Sequence, residues 1–193
     1  SEEERRRRPV VLRKLVVIGD SGVGKSSMVE SFYKYEVHKV DNATMGMNFR
    51  KVEAKGQVWH VWDVPGQVHF RPASIHTYFH APHDNVCVLL AFDVAQRSSF
   101  DNLARHLKES LFHVLPNAIM LVGIVQGRQP HRRVRQDEAE RLAAKARLLA
   151  YVETSLEVPP WDSKLGVNRV IGAIREKLPL STEEESLQNH WGD

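Results

Sequence analysis

Apolar residues in this chain fall into short unbroken runs, separated by segments in which they recur every three or four positions. The runs Leu15-Val16-Val17-Ile18, Val86 to Ala91 and Ala118 to Val125 hold almost no polar side chain. Runs of this length, rich in β-branched residues, mark strands covered on both faces. Between them, Ser26 to Tyr35 carries Met28, Val29 and Phe32 at helical spacing. Ser98 to Leu115 likewise places Phe100, Leu103, Leu107 and Leu111 on one helix face. The full pattern predicts strands at Val10 to Gly19 (interrupted by Arg13 and Lys14), Met47 to Ala54, Gln57 to Val64, Val86 to Val94, Ala118 to Val125 and Tyr151 to Thr154. Lys55-Gly56 joins the second and third as a hairpin signal. Two further helices are expected, Gln136 to Ala150 with Asp137-Glu138 suiting the positive end of its dipole, and Val167 to Leu178. Glu36 to Gly46 and Pro65 to Asp84 are irregular, and the first is long enough for a functional loop.

Strands that alternate with helices predict an α/β fold, a mainly parallel six-stranded sheet with helices on both faces. Ligands of such sheets bind at the carboxyl ends of the strands. The chain has 193 residues, 42% of them hydrophobic, which suits one domain with a sizeable core. Residues 10–178 are expected to form that domain, between a disordered basic segment at 1–9 and a solvated tail at 179–193. A net charge of +3 is too small to argue for a nucleic-acid partner. The charge is concentrated in Arg5 to Arg8 and in Arg128 to Arg135, each readable as solvated surface or as a site for an anionic partner. The single cysteine, Cys87, lies in an apolar run, so no disulfide framework is expected and a reducing, cytoplasmic setting fits. No apolar run approaches the length of a membrane span, and no signal peptide is visible.

The chemistry is concentrated at Gly19-Asp20-Ser21-Gly22-Val23-Gly24-Lys25-Ser26. This is the G-x-x-x-x-G-K-[ST] phosphate loop, between a predicted strand and a predicted helix, the context that gives the motif its meaning. Glycines let backbone N–H groups close round phosphates, and the helix turns its positive end toward them. Lys25 adds a point charge, and Ser26 offers a hydroxyl to Mg²⁺. An ordinary glycine-rich turn would need the glycines but not the Lys-Ser pair.

Two weaker signals gain weight from their positions. Trp62-Asp63-Val64-Pro65-Gly66-Gln67 ends an apolar strand. A carboxylate there can hold a water on Mg²⁺, a glycine N–H can reach a γ-phosphate, and a glutamine can orient an attacking water. Thr44 lies in the loop after the first helix, where a hydroxyl can complete the Mg²⁺ shell only when a γ-phosphate is present.

Together these residues resemble the Ras-like small GTPases, most closely the Rab branch. The G-D-S-G-V-G-K-S-S wording, Thr44-Met45-Gly46-Met47-Asn48-Phe49, Trp62-Asp63, Gly66-Gln67 and Phe70-Arg71 follow in family order. Phe92-Asp93-Val94, Ser99-Phe100, Leu121-Val122-Gly123 and Glu153-Thr154-Ser155 continue the match, which spans about residues 10 to 178. The resemblance implies a P-loop fold that binds GTP or GDP with Mg²⁺. Ser21, Gly22, Val23, Gly24, Lys25, Ser26 and Ser27 would surround the phosphates. Ser26, Thr44 and, through water, Asp63 would hold the metal. Gly66 would meet the γ-phosphate, Gln67 would act in catalysis, and Ser155 and Leu156 would face the base. Phe49 and Trp62 match aromatic positions that Rab proteins present to effectors.

The base-reading residues depart from the family. Its Asn-Lys-x-Asp, directly after Leu-Val-Gly, is here Ile124-Val125-Gln126-Gly127. Losing two hydrogen bonds to a charged acceptor costs about 3–6 kcal/mol, at roughly 1.5–3 kcal/mol each. That is on the order of 10²- to 10⁴-fold in guanine affinity. Ser-Ala-Lys becomes Ser155-Leu156-Glu157, and the aromatic that packs on the base falls at Val37. Pro65 stiffens the second switch, and Val68 replaces the glutamate met by ordinary exchange factors. The expected function is therefore a divergent Rab-like GTPase of intracellular trafficking with slow hydrolysis at best, monomeric by itself, binding effector or complex-subunit proteins through its switches. The alternative is a pseudo-GTPase scaffold with weak, constitutive or no nucleotide binding. His76, His80 and His83 stand at helical spacing, but only Asp84 is at hand to complete a tetrahedral zinc set, so a zinc site is not expected. The sequence as given carries no C-terminal cysteine for prenylation, so either an anchoring tail has been removed or membranes are reached only through partners.

Overall fold

A computed structural model describes residues 11–36, 49–54, 57–64, 85–127 and 131–178. The apolar runs become the inner strands of one six-stranded sheet: β1 (Val11–Ile18), β2 (Phe49–Ala54), β3 (Gln57–Asp63), β4 (Val86–Asp93), β5 (Ile119–Val125) and β6 (Ala150–Ser155). Their order across the sheet is β2-β3-β1-β4-β5-β6. All neighbours are parallel except β2 and β3, which form an antiparallel pair from Phe49 opposite Trp62 to Ala54 opposite Gln57. Every residue of β4 and β5 is buried, as strands with helices on both faces require.

The helices are α1 (Lys25–Glu36), α2 (Arg97–Asp101), α3 (Leu103–Ser110), α4 (Gln136–Lys145) and α5 (Asn168–Lys177). Met28, Val29 and Phe32 of α1 join Val170 and Ile174 of α5 over one face, around Leu15, Val17, Leu89 and Met120. Phe100, Leu103, Ala139 and Ala143 cover the other face, against Val16, Leu90, Phe92 and Leu121. Alternate residues of the inner strands thus serve opposite cores.

Two expected helices end earlier than the apolar pattern suggests. Ser98 to Leu115 is instead α2 and α3, divided at Asn102, and it stops at Ser110. Ser110 Oγ donates back to the His106 carbonyl at 2.8 Å, and Phe112 and His113 donate to carbonyls three residues back. That tightening unwinds the last turn. Leu111 consequently sits 44% exposed beside Phe112, at the end of an apolar groove of 570 Å³ lined also by Leu107, Leu142 and Leu148.

The fourth helix ends at Lys145 rather than Ala150. Leu148 N–H donates to the Ala143 carbonyl and Arg147 N–H to that of Ala144, a Schellman closure with Arg147 left-handed at φ 56°. Residues from Ala150 onward are thereby released to pair with β5, Met120 opposite Ala150.

Candidate functional site

β1 ends at Ile18 in the middle of the sheet, and the chain must leave it between β3 and β4. Gly19 makes that exit feasible, because a Cβ there would lie 2.2 Å from the Ala91 carbonyl oxygen of β4. Gly22 and Gly24 then turn the backbone at φ 79° and 101°, values that side-chain-bearing residues rarely adopt. Val23 anchors the loop in the core, while Ser21, Gly22, Ser26 and Ser27 lie at or near the surface. α1 begins at Lys25, so its unpaired N–H groups face the loop.

Lys25 is 6% exposed, and its Nζ donates to the Asp20 carbonyl at 2.7 Å. Burial pushes the pKa of the Lys25 ammonium below its ordinary value, against the opposing charges of Asp63 and Asp20. Such a cation gains most from an incoming anion. Ser26 Oγ donates to Asp63 Oδ2. The register sets this meeting, since Asp63 closes β3 opposite Val17, just below the loop. A hydroxyl and a carboxylate side by side are the hard oxygen donors that suit Mg²⁺, which keeps several waters and takes few protein ligands. Among the described residues no three His, Cys, Asp or Glu gather into a metal site, and a site of this kind needs none.

The loop is clasped from outside by residues that the motifs do not include. The Asp20 carboxylate accepts from Asn102 Nδ2 at 2.6 Å and meets His106 Nε2 at 2.8 Å, with the Arg105 guanidinium 3.9 Å away. Burial alone would raise the Asp20 carboxyl, but the bonds from Asn102 and His106 and the charges of His106 and Arg105 outweigh it and hold it below the ordinary range. His106 is 1% exposed, and its Nδ1 is buried with no hydrogen-bond partner. A second clasp comes from just after β5, where Gln126 Nε2 donates to the Gly22 carbonyl at 3.1 Å and to Asp93 Oδ2 at 2.9 Å. The sequence signal for Gln126 is that it is the first polar side chain after the apolar run of β5, at the strand end where ligands bind.

Ser155 and Leu156 lie at the end of β6, beside the loop. Ser155 is buried, its N–H donating to the Leu165 carbonyl at 2.8 Å, and Leu156 N–H donates to the Val125 carbonyl at 3.4 Å. Trp62 carries the Lys14 ammonium 5.2 Å from its ring centre, and Phe49 starts β2 opposite Trp62. Thr44, Gly66 and Gln67, with Pro65, Val68 and the three histidines 76, 80 and 83, lie outside the described residues. In the basic loop that ends at Arg135, two of the described arginines are held by carboxylates. Arg132 forks onto Glu153 with two bonds of 2.8 Å, and Arg135 onto Asp137 likewise.

The sequence model of the Ras family matches residues 14–162. Ras-related protein RABA1a of Arabidopsis thaliana is 37% identical over 149 residues, covering 75% of this chain and 67% of that protein. Ras-related protein rab-11.1 of Caenorhabditis elegans is 36% identical over 149 residues, covering 75% and 68%. Ras-related protein Rab11D of Lotus japonicus is 41% identical over 117 residues, covering 58% of this chain and 52% of its own length. The chain thus spans between about half and two thirds of the length of these relatives.

Proposed function

The chain belongs to the Ras family, on its Rab branch, and from that premise we propose that it is a divergent small GTPase which binds GTP or GDP with Mg²⁺ and engages a partner protein according to its nucleotide state. Residues 10–178 would form the GTPase domain. The observation that carries the reading is the meeting of Ser26 with Asp63 beside a buried Lys25, under a backbone turned by Gly22 and Gly24.

In this reading Lys25 exchanges its bond to the Asp20 carbonyl for phosphate oxygens, and the N–H groups from Ser21 to Ser27 close round them. Ser26 would hold the metal directly, and Asp63 would hold it through water. Magnesium, when bound, neutralises the charge that develops on the transferring phosphoryl group. Thr44 would complete the metal's ligands in the triphosphate state, Gly66 would meet the γ-phosphate, and Gln67 would orient the attacking water. Hydrolysis of this kind is slow until a partner supplies an arginine. Phe49 and Trp62 belong to the effector surface, and partners recruit the protein to the membranes it serves in intracellular trafficking. No helix among the described residues is long and apolar enough to cross a membrane.

The bond from Leu156 N–H to the Val125 carbonyl supports a second reading, because it engages the backbone donor that would meet the base oxygen. In that reading the chain is a pseudo-GTPase scaffold within a protein complex. Denaturing the purified protein and weighing what is released separates the two. Nucleoside di- or triphosphate at about one per chain, guanine nucleotide among it, is the expected result, lost in Lys25→Ala. A chain that releases nothing and takes up no GTP leaves the scaffold.

A further inference from the structure

We infer that the pocket selects its ligand through the phosphates and magnesium and does not discriminate among bases. The inference rests on the phosphate-loop reading above and adds the ligand class: a nucleoside di- or triphosphate of any base. Its ground is the state of the groups that line the base side of the loop, which are engaged with one another rather than turned outward.

A Cβ built on Gly24 would meet Ile124 Cγ2 at 3.2 Å, Leu156 Cδ1 at 3.3 Å and Gln126 Cδ at 3.4 Å, so three side chains lie directly on the loop backbone. Ile124 and Leu156 offer a base nothing but apolar surface. The Gln126 amide nitrogen is shared between Gly22 and Asp93, and the other Asp93 oxygen accepts from Ala95 N–H at 2.8 Å. The turn after β6 is engaged in the same way. Ser155 N–H goes to Leu165, Leu156 N–H to Val125, and Glu157 N–H to Ser155 Oγ at 3.2 Å. Thr154 Oγ1 also donates to the Leu165 carbonyl, at 3.0 Å. Gly127, at φ 77°, contributes no side chain at all. The exposed carboxylate of Glu157 remains as the one charged group on this turn.

Purines and pyrimidines differ in the donors and acceptors along their edges. A site sorts them strongly only when fixed polar groups would be left unpaired by the wrong base; apolar contact alone sorts by factors on the order of ten. Here the described donors, the Gln126 amide nitrogen and the N–H groups of 155–157, are already engaged within the protein, so a change of base leaves none of them newly unpaired.

The test is calorimetric titration of the full chain, stripped of nucleotide, with the magnesium complexes of GDP, ADP, UDP and pyrophosphate. The three nucleotides are expected to bind within about tenfold of one another. A larger preference for GDP overturns the inference, and abolition of that preference by Glu157→Gln would assign it to the carboxylate. If pyrophosphate binds while the nucleotides are sorted, this inference alone fails. If none of the four binds to a chain that still unfolds cooperatively, the phosphate-loop reading fails with it.

Discussion

Replacing Asp20 by asparagine tests how far the phosphate loop depends on α3. The exchange preserves shape and removes the charge. The native carboxylate accepts from Asn102 and His106 at 2.6 and 2.8 Å, and its side chain is 18% exposed. An amide has one acceptor to offer, so its nitrogen must face either the Asn102 or the His106 donor. The imidazole can answer by accepting at Nε2, but the proton then sits on Nδ1, which is buried with no partner. One hydrogen bond is lost or one buried donor is orphaned, and the surviving bond is no longer charge-assisted. Bonds to charged groups are worth about 1.5–3 kcal/mol, neutral ones about 0.5–1.5, and an orphaned donor costs about 1–3. The expected destabilisation is therefore about 2 kcal/mol, some 4–8 °C in Tm for a chain of this length. Urea unfolding followed by circular dichroism at neutral pH measures it. The sign with pH follows from the depressed carboxyl of Asp20. Its contribution is complete above the unfolded pKa and drains away as pH falls through the lower folded value, so native and variant should converge in acid. A variant within about 0.5 kcal/mol of the native chain at neutral pH, the usual scatter of surface substitutions, would refute the clasp.

Two glycine exchanges of opposite sense should both stabilise the fold. Gly172, inside α5 with open space where a Cβ would lie, should gain about 0.5–1 kcal/mol as Gly172→Ala. Arg147 holds a left-handed helix end, so Arg147→Gly should gain on the order of 1 kcal/mol, and a fall in Tm for either variant contradicts the geometry. Phosphate binding should take up protons in alkaline solution, because an anion restores the lowered Lys25 pKa; affinity should fall as pH rises through the free value. Calorimetry in two buffers of different ionisation enthalpy reads that uptake, and its persistence in Lys25→Met would assign the proton to another group.

What the sequence made legible was whatever is contiguous. β4, β5 and residues 15–18 of β1 stand out because strands buried on both faces are unbroken apolar runs, and the phosphate loop is one stretch of eight residues. The helix ends at Ser110 and Lys145 were not legible, since a hydroxyl bonded back to a carbonyl and a left-handed arginine decide them against the apolar periodicity. The clasp on Asp20 was hidden for another reason. Its partners stand 82 and 86 residues away, and nothing in Asn102 or His106 by themselves distinguishes them from other polar residues on a helix. Gln126 lay in plain view as a departure from the family motif, but which groups its amide nitrogen joins depends on where β5 ends relative to Gly22 and Asp93.

The strand order also governs when, during synthesis, the phosphate loop can exist. β1 comes before the other strands of this sheet in the sequence, and both of its neighbours are made later: Val17 pairs with Asp63, and Ile18 with Leu90. Pairings so distant in sequence carry a loop-closure penalty and form slowly. Gly19 cannot settle against Ala91, Ser26 cannot meet Asp63, and Asp20 cannot meet His106 until those later residues have emerged. A nascent chain that ends before β4 therefore has no phosphate pocket, and nucleotide cannot act as a template for folding until β4 and the helix that carries His106 have been made.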